Sequence, residues 1–449
     1  MLARFLERLD ALLAAHPEAR RLVVGYSGGV DSHVLLHSLA IHRDRWPERR
    51  LAALYVDHGL QTASAAWGEH CGEVCRALVI PFRTLRVNAR PAPGDSPEAA
   101  ARRARYAAFA AELGPDAALL TAHHRDDQAE TLLLQLLRGA GPHGLAAMPA
   151  AARLGQGWLL RPLLDLDRAD LLAYAREYDL RWIEDASNAD AGFDRNYLRH
   201  RVLPLLRERW SAVNRTLARS ARWCAETADW LVQEAAADLA RVVTHRPDGL
   251  HLPAVRELSA IRQRNLLRYW LRQRGLPVPD RRQLGQILHD GPTARRDRQP
   301  CIHWPGGEVR RYRDILYAMP PLASPDVQRR LVWRPNANGY PPLELPGIGT
   351  LVLREAVGAG LRASALANTA LTVRFRQGGE HFHPVGRRHG QELKKLWQEA
   401  GVPPWERNRL PLVYRGEALL AVVGLGIAAD AATAPGEPGW EPVLQLSSL

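Results

Sequence analysis

The residues with the clearest chemical potential lie where a short apolar run, Leu22–Val24, meets an apolar helical pattern. Two adjacent glycines at this junction allow a tight turn that points several backbone N–H groups into one concavity. Because the concavity lies at a helix N-terminus, it suits an anion, most often a phosphate. Two serines add hydroxyl donors, and an aspartate there suits a metal ion that itself binds the anion. The segment is Ser27-Gly28-Gly29-Val30-Asp31-Ser32.

A second candidate site lies in the segment His123–Thr131, where another apolar run turns into a helical pattern. Asp127 and Glu130 are three residues apart, so a helix places both carboxylates on one face. Such a pair suits a Mg²⁺ ion or a cationic substrate. Acidic residues are also favoured in the first turn of any helix, where they interact with the helix dipole. The spacing leaves both interpretations open, and the nearby phosphate loop favours the functional one.

Basic residues at helical spacing form a third group of candidates. In the predicted helix 97–113, Arg102, Arg105 and Tyr106 share one side, where they could contact an RNA phosphate and a base. A polar loop, Glu184–Asp190, precedes a helix that carries two arginines one turn apart. The two lysines of the chain are adjacent, which suggests a phosphate contact, although a solvated face explains any of these groups. The further candidates are Arg195, Arg199, Arg376, Lys394 and Lys395.

Alternating strand-like and helix-like segments over the first ~200 residues predict an α/β fold with a parallel sheet. In such a sheet, ligands bind at the carboxyl ends of the strands. The phosphate loop, Asp57-His58-Gly59 and His123-His124 each follow a predicted strand, so we expect them to meet at one cleft. The predicted strands are 21–26, 51–57, 81–87 and 117–122, and the predicted helices are 31–39, 65–78, 97–113 and 126–138.

The later part of the chain has a different pattern. Long helical segments at 215–240 and 260–274 predict a mostly helical second domain, and the Pro-containing stretch 320–335 predicts a linker. Beyond it, strand-like runs at 350–353, 371–375, 410–414 and 419–423 and a helical segment at 392–400 predict a small α+β module. We therefore predict three domains, 1–205, 206–319 and 336–449.

Composition limits the class of protein. The 449 residues are 46% apolar and carry a net charge of +12, which favours a polyanionic partner. No apolar run is long enough to span a bilayer, and the charged, amphipathic N-terminal segment is unlike a signal peptide. Four scattered cysteines do not make a disulfide framework. We expect a cytoplasmic enzyme that does not bind a membrane; the sequence leaves its oligomeric state open.

The motifs resemble those of known families. The phosphate loop lacks the lysine of a P-loop and resembles the pyrophosphate-binding loop of the N-type ATP pyrophosphatases, the PP-loop superfamily. The whole set resembles the tRNA(Ile)-lysidine synthase family, specifically at both ends of the chain and loosely in the middle. The segments that carry this resemblance are Val56–Leu60, Glu98–Tyr106, His123–Thr131, Leu136–Gly139, Gly144-Leu145, Asp185–Asp190, Arg195–Arg199, Arg376–Glu380, Leu393–Lys395 and Gly401–Trp405.

The resemblance implies an adenine nucleotide α-hydrolase-like fold and an enzyme that uses ATP and Mg²⁺. Such an enzyme adenylates the C2 carbonyl oxygen of the wobble cytidine in an isoleucine tRNA with a CAU anticodon. The ε-amine of L-lysine then displaces AMP, and the lysidine that forms changes the decoding of the tRNA from methionine to isoleucine.

The resemblance also implies roles for individual residues. The Ser27–Ser32 loop is expected to hold pyrophosphate, and Asp31 is expected to place Mg²⁺. Asp127 and Glu130 are expected to hold the ammonium groups of lysine or to share the metal, and Arg195 to pair with the lysine carboxylate or the adenylate phosphate. A carboxylate near Asp127 is the expected general base. The expected tRNA contacts are Arg102, Arg105, Arg199, Arg376, Lys394 and Lys395.

Other functions remain to be weighed against this one. A tRNA thiolase on the same loop needs reactive cysteines at the cleft, whereas Cys71 and Cys75 lie on a predicted helix away from it. A glutamine-dependent amidase needs a cysteine nucleophile, and none is suitably placed. A non-catalytic RNA-binding protein would have no reason to keep Asp31, Asp127 and Glu130 together.

Overall fold

The computed structural model describes residues 1–59, 64–91, 97–185, 190, 192–244, 249–293, 300–322, 326–366 and 369–446. The chain forms two compact units, Met1–Glu234 and Ala235–Leu449. The boundary between them falls inside the 30-residue helix Val213–Val242, whereas the first predicted domain ends at residue 205; the three-domain division stays a prediction. In the part of the chain that is described, no helix is long and apolar enough to cross a membrane.

The first unit is built on one sheet. Its strands are Arg21–Gly25 (β1), Arg50–Asp57 (β2), Phe82–Arg86 (β3), Ala117–Leu120 (β4), Ala151–Leu154 (β5) and Gly157–Leu160 (β6). Its helices are Leu2–Ala15 (α1), Val30–Ile41 (α2), Ser64–Ala77 (α3), Pro97–Glu112 (α4), Arg125–Leu137 (α5), Pro142–Leu145 (α6), Arg168–Glu177 (α7), Asp194–Tyr197 (α8) and Leu203–Arg209 (α9), with Val213–Val242 (α10) continuing into the second unit.

The order of the strands creates a crevice. The sheet runs β3-β2-β1-β4-β6-β5 and is parallel except for the β5–β6 hairpin. The chain leaves β1 toward β2 and β3 and then crosses back to place β4 on the other side of β1. Such a reversal leaves a crevice at the carboxyl ends of the two strands, because their following segments diverge to opposite faces of the sheet.

Apolar layers cover both faces of the sheet, which is why β1 and β4 are almost continuous apolar runs. One layer includes Phe5, Leu35 and Tyr174 from helices α1, α2 and α7. The other includes Phe109 of α4 and Leu119 of β4. The two layers hold the crevice residues on rigid elements.

The sequence predicted the elements around the crevice closely. The four predicted strands and four predicted helices of this region are all present, with ends that differ by at most two residues. The fold-class prediction, a PP-loop-type parallel α/β sheet followed by further domains, is confirmed. The hairpin β5–β6 and the helix α7 were missed, because four-residue strands and a ten-residue helix give weak periodicity.

The second unit contains a sheet that the sequence analysis did not find. In the region predicted to be mostly helical, four strands pair in the antiparallel order β7-β10-β9-β8 beside three helices. The elements are Leu250–His251 (β7), Leu252–Glu257 (α11), Ala260–Gln273 (α12), Arg281–Thr293 (α13), Cys301–Trp304 (β8), Gly307–Tyr312 (β9) and Ile315–Met319 (β10). The strands are too short to show a clear apolar period, and the charged residues of β9 interrupt the pattern further.

The last part of the second unit has two antiparallel sheets and a short two-stranded ribbon. The predicted linker 320–335 is wrong in part, because Leu331–Trp333 pairs with Leu371–Arg374 as an edge strand. The strands are Leu331–Trp333 (β11), Leu343–Leu345 (β12), Gly349–Val357 (β13), Leu361–Arg362 (β14), Leu371–Arg374 (β15), His381–Phe382 (β16), Gln391–Glu392 (β17), Leu412–Arg415 (β18), Ala418–Val422 (β19), Gly426–Ile427 (β20) and Pro438–Leu446 (β21). The helices are Ala363–Leu366 (α14), Leu393–Glu399 (α15) and Pro404–Arg407 (α16).

Candidate functional site

The phosphate loop connects β1 directly to helix α2. Ser32 Oγ donates to the carbonyl of Gly29 at 2.9 Å, and the backbone N–H of Ser27 donates to Ser32 Oγ at 3.2 Å. The two serine hydroxyls lie 3.1 Å apart. These bonds tie the loop to the first turn of α2, whose N-terminus carries the partial positive charge that attracts anions.

Gly28 is the conformationally constrained position of the loop. It has φ +82°, and a Cβ atom there would lie 2.5 Å from Ile183 Cδ1 and 3.1 Å from Cys71 Sγ. The Gly28 carbonyl also accepts the backbone N–H of Ile183 at 2.9 Å. Gly29 has φ −72° and no comparable contact, so the two glycines have different roles.

The N-terminus of helix α5 brings a second group of polar residues to the same crevice. His124 is buried, and its Nε2 lies 3.6 Å from Asp31 Oδ2 and 3.4 Å from Asp127 Oδ2. The backbone N–H of His124 donates to Asp127 Oδ2 at 3.0 Å. Arg168 Nε lies 3.8 Å from Asp31 Oδ1. Asp31 therefore lies between a histidine and an arginine, at the start of α2.

Glu130 lies on the same helix, α5, and is fully buried. Arg199 donates to it with Nε at 2.7 Å and Nη2 at 2.9 Å, and Nη2 also donates to Asp127 Oδ1 at 3.0 Å. Arg195 Nη2 donates to Thr131 Oγ1 at 3.2 Å, and Arg195 Nε lies 3.9 Å from Glu130 Oε2. The predicted carboxylate pair thus shares a face as expected, but arginine already engages both members.

Burial and charge act on these groups in opposite directions. Burial, together with the nearby Asp127 carboxylate, raises the pKa of Glu130 although the Arg199 guanidinium acts to lower it. Burial also acts to raise the pKa of Asp127, but His124, His123 and Arg199 together hold it below the usual range. For His124, burial disfavours the imidazolium, yet Asp127 and Asp31 outweigh burial and raise its pKa. Asp127 is therefore an anion at neutral pH.

These elements enclose a cleft of about 760 Å³. Its described lining includes the phosphate loop, Asp127 and Arg199, together with Arg105 and Tyr106 of α4. That volume is within the range of small-molecule sites. Burial lowers the pKa of His123 to about 3 and that of His58 to about 4, so these two lining histidines are neutral at physiological pH.

Other predicted residues lie elsewhere. Arg102 stacks on the Tyr106 ring at 4.9 Å and is not among the described lining residues. In the second unit, Lys394 and Lys395 are exposed on α15, and Arg376 lies 6.0 Å from the ring of Trp397 on that helix. Leu60 and residues 186–189 of two quoted motifs lie outside the described residues, and so does the Glu98 side chain.

Sequence reasoning missed several participants. Arg168 and Ile183 of the lining belong to no recognisable motif, and the sequence assigns no role to His124. The only available signal was the adjacency of two histidines at a strand end. Asp57, whose role the sequence left open, accepts the backbone N–H of Gly59 at 2.9 Å. It therefore shapes the turn after β2.

Comparison with known proteins agrees with this geometry. Residues 1–206 match the model of the PP-loop domain, residues 250–317 that of the TilS substrate binding domain, and residues 371–446 that of the TilS substrate C-terminal domain. The tRNA(Ile)-lysidine synthase of Coxiella burnetii is 44% identical over 98% of this chain and 96% of its own length. The chain belongs to the tRNA(Ile)-lysidine synthase family. The enzyme of that name from Methylococcus capsulatus is also 44% identical, over 95% of this chain and 97% of its own.

The family assignment confirms the expected ligase class and the expected use of ATP. Similarity to solved structures is much weaker. A U34-tRNA thiolase from Methanococcus maripaludis superposes with a TM-score of 0.40 at 15% identity, covering 46% of this chain and 73% of that chain.

The two glycines of the phosphate loop allow a matched test. We expect Gly28→Ala to lower the free energy of unfolding by about 1–3 kcal/mol, because alanine is strained at positive φ and its Cβ displaces Ile183. Gly29→Ala is the control and should change it by less than about 0.5 kcal/mol. Urea unfolding measures both; equal losses in the two variants would contradict the role assigned to Gly28.

The buried ion pair makes a pH-dependent prediction. Arg199→Ala should cost about 3–5 kcal/mol at neutral pH, because it removes both hydrogen bonds to buried Glu130 and leaves only Arg195, at 3.9 Å, as a cationic neighbour among the described residues. Loss of the guanidinium raises the folded-state pKa of Glu130 further above its unfolded value. A raised pKa destabilises the folded state as pH rises, so the cost should be smaller at pH 5 than at pH 8.

Urea unfolding at the two pH values measures this difference. The control is Arg201→Ala, because Arg201 is exposed on the same helical turn. A cost for Arg199→Ala that does not change with pH would show that Glu130 remains ionised by other means.

Proposed function

We propose that this chain ligates L-lysine to C2 of the wobble cytidine in an isoleucine tRNA with a CAU anticodon. The cytidine O2 attacks the α-phosphorus of ATP and pyrophosphate leaves. The ε-amine of lysine then attacks C2, and AMP leaves with O2. The observation that carries the proposal is that the phosphate loop, Asp31 and Asp127 line one cleft in a member of this family.

The phosphate loop is suited to bind the pyrophosphate part of ATP. The hydroxyls of Ser27 and Ser32 and the free N–H groups at the start of α2 supply donors without any lysine. Adenylation is needed because the carbonyl oxygen of a cytosine is a very poor leaving group until it carries a phosphate. Loop donors that stabilise the departing pyrophosphate act where negative charge develops.

Asp31 is the residue we propose to hold Mg²⁺. Its Oδ1 atom is buried and accepts no hydrogen bond from the described residues, at the rim of the phosphate loop. One carboxylate together with substrate phosphates is a usual magnesium environment, so the residues present fit this ion. When bound, Mg²⁺ neutralises charge on the leaving pyrophosphate. Asp31 orients the ion, and Arg168 offers a further positive charge on the other side of the carboxylate.

We propose Asp127 as the carboxylate that receives a lysine ammonium group. It lines the cleft and is ionised, whereas Glu130 is buried under Arg199 and does not line the cleft in the described residues. Glu130 then acts as a positioning residue through Arg199. Arg195 stays our candidate for pairing with the lysine carboxylate or the adenylate phosphate. The carboxylate that accepts the proton of the attacking amine stays a prediction, and the low pKa of Asp127 makes it a weak base.

For the tRNA, the proposed contacts divide between the two units. Arg102, Arg105 and Tyr106 lie on one helix of the first unit, and Arg105 Nε lies 3.2 Å from His58 Nε2 in the cleft lining. In the second unit, Arg376, Lys394 and Lys395 form a basic group on and beside α15. Arg199 is the exception, since its carboxylate partners favour a role inside the cleft.

The thiolase alternative finds no support in the site. Cys71 and Cys75 are fully buried, and burial raises the pKa of both thiols to about 12. No cysteine is among the described residues that line the cleft. A thiol in this state is a poor nucleophile at physiological pH.

The first experiment measures incorporation of labelled L-lysine into an unmodified isoleucine tRNA transcript with a CAU anticodon. With ATP and Mg²⁺, we expect label that survives mild alkaline deacylation. Asp31→Ala and Asp31→Asn should both lower the rate at least about 100-fold, since each removes the anionic charge. Asp44→Asn, at an exposed aspartate of the first unit, is the control. Cleavage of ATP to AMP that needs tRNA but incorporates no lysine would contradict the proposed nucleophile.

The lysine pair predicts a separate effect on the tRNA. Replacing Lys394 and Lys395 with alanine should weaken tRNA binding about 10-fold and spare ATP binding, because two phosphate contacts are lost. The double arginine variant is the matched control and should retain most of the affinity. Unchanged tRNA affinity in the alanine variant would remove these residues from the interface.

A further inference from the structure

The first half of helix α10 presents a basic face that the proposed reaction does not use. From Arg209 through Cys224 the sequence has four arginines, Arg209 included, and no acidic residue. Arg215, Arg219 and Arg222 are exposed on the helix. Among the residues that the structure describes, neither Arg219 nor Arg222 forms an ion pair. A run of like charges without compensation disfavours the folded chain unless a partner of opposite charge uses it.

An exposed tryptophan lies within this basic run. Trp223 is 55% exposed, and the guanidinium carbon of Arg219 lies 5.6 Å from its ring centroid. A large aromatic side chain in water loses the hydrophobic gain of burial, which a ligand that stacks on the ring would restore. Arginines around an aromatic ring are the combination that binds single-stranded nucleic acid, with phosphates on the arginines and a base on the ring.

The start of this face is joined to the helix that forms the candidate site. Arg207 Nη2 pairs with Asp126 Oδ2 of α5 at 2.7 Å. Arg215 Nη2 lies 3.8 Å from Asp167 Oδ2, and Arg125 Nη1 of α5 pairs with Asp167 Oδ1 at 2.5 Å. Asp167 immediately precedes Arg168, which lines the cleft. A polyanion bound on α10 would therefore continue toward the cleft within the first unit.

We propose that Arg215, Arg219, Arg222 and Trp223 form an RNA-binding surface, called here the α10 surface. It holds an unpaired segment of the tRNA beside the reacting nucleotide, with phosphates on the three arginines and one base stacked on Trp223. The identity of the RNA rests on the proposed function. The surface itself rests on its charge, its exposed ring and its connection to α5. Absence of acidic residues from Arg209 to Cys224 favours this polyanion over a second copy of the chain.

The same helix supplies a matched control. Trp230 is 57% exposed and lies two helical turns after Trp223, but no arginine is within four residues of it, whereas Glu226, Asp229 and Glu234 are. Acidic neighbours repel phosphate, so Trp230 should not contact RNA. Trp223→Ala should weaken binding of the isoleucine tRNA transcript about 5- to 150-fold, the range for loss of one stacked base. Trp230→Ala should leave the affinity within about 2-fold, as expected for a residue outside the interface.

Salt dependence separates stacking from charge. For the variant R215A/R219A/R222A, the slope of log affinity against log salt concentration should fall by about 2, because each lost phosphate contact removes about 0.7–0.9 from it. Trp223→Ala should weaken binding with little change in this slope. Equal losses of tRNA affinity in Trp223→Ala and Trp230→Ala would contradict the proposal of an RNA-binding α10 surface. An unchanged salt slope in the triple variant would also contradict it. A triple variant that changes oligomeric state instead of RNA affinity would also overturn it.

Catalytic measurements distinguish this proposal from the proposed function. The variants should raise the KM for tRNA while the KM for lysine, ATP binding and kcat at saturating tRNA stay near the wild-type values. If the wild-type enzyme incorporates no lysine but its RNA affinity still depends on Trp223 and the arginines, the proposed function fails and the surface stands. If lysine incorporation is normal and the affinities are unchanged, the surface fails alone.

Discussion

One fully buried carboxylate, that of Glu130, constrains the architecture of the site. Burying an ion without a partner costs several kcal/mol, so the structure must supply a cation with good geometry. Arg199 does so with two hydrogen bonds and adds a third to Asp127. It comes from a π-helical turn, Leu198–Val202, a local irregularity often found at functional sites. The pair therefore attaches a distant segment to α5 and forms the base of the cleft.

Further ion pairs extend this attachment. Asp126 pairs with Arg207 and Arg125 with Asp167, so the first turn of α5 is joined to α9 and to the start of α7. His124 lies between Asp31 and Asp127 and reduces the repulsion between two carboxylates on different helices. Because positive and negative groups alternate, several carboxylates share a small volume, and one of them, Asp127, stays ionised and lines the cleft. This is the electrostatic condition for a site that must accept both phosphates and a cationic amino acid.

The sequence predicted the secondary structure of some parts of the molecule much better than that of others. The strands β1–β4 and the helices α2–α5 were predicted within two residues, because buried parallel strands form continuous apolar runs and their helices carry apolar faces. Helix α7, which carries Arg168 of the cleft, was not predicted. In the second unit, four strands escaped prediction because β7, β8 and β10 have only two, four and five residues, and β9 places Glu308, Arg310 and Arg311 among its apolar positions. Edge strand β11 was mistaken for a linker, because neighbouring prolines dominate the local pattern. In such segments, pairing with distant strands decides the conformation, and local propensity does not.

By itself, the sequence determined the phosphate loop, the sheet edge on which it lies and the family of the chain, because these depend on local spacing and on residues close in the chain. Only the tertiary structure decided which role each polar residue has. It buried Glu130 under Arg199 while leaving Asp127 in the cleft, although both share a helix face. It also showed that Gly28, and not Gly29, is restricted by Ile183, a residue more than 150 positions away. Burial and long-range pairing fix these roles, and neither is encoded in spacing along one segment.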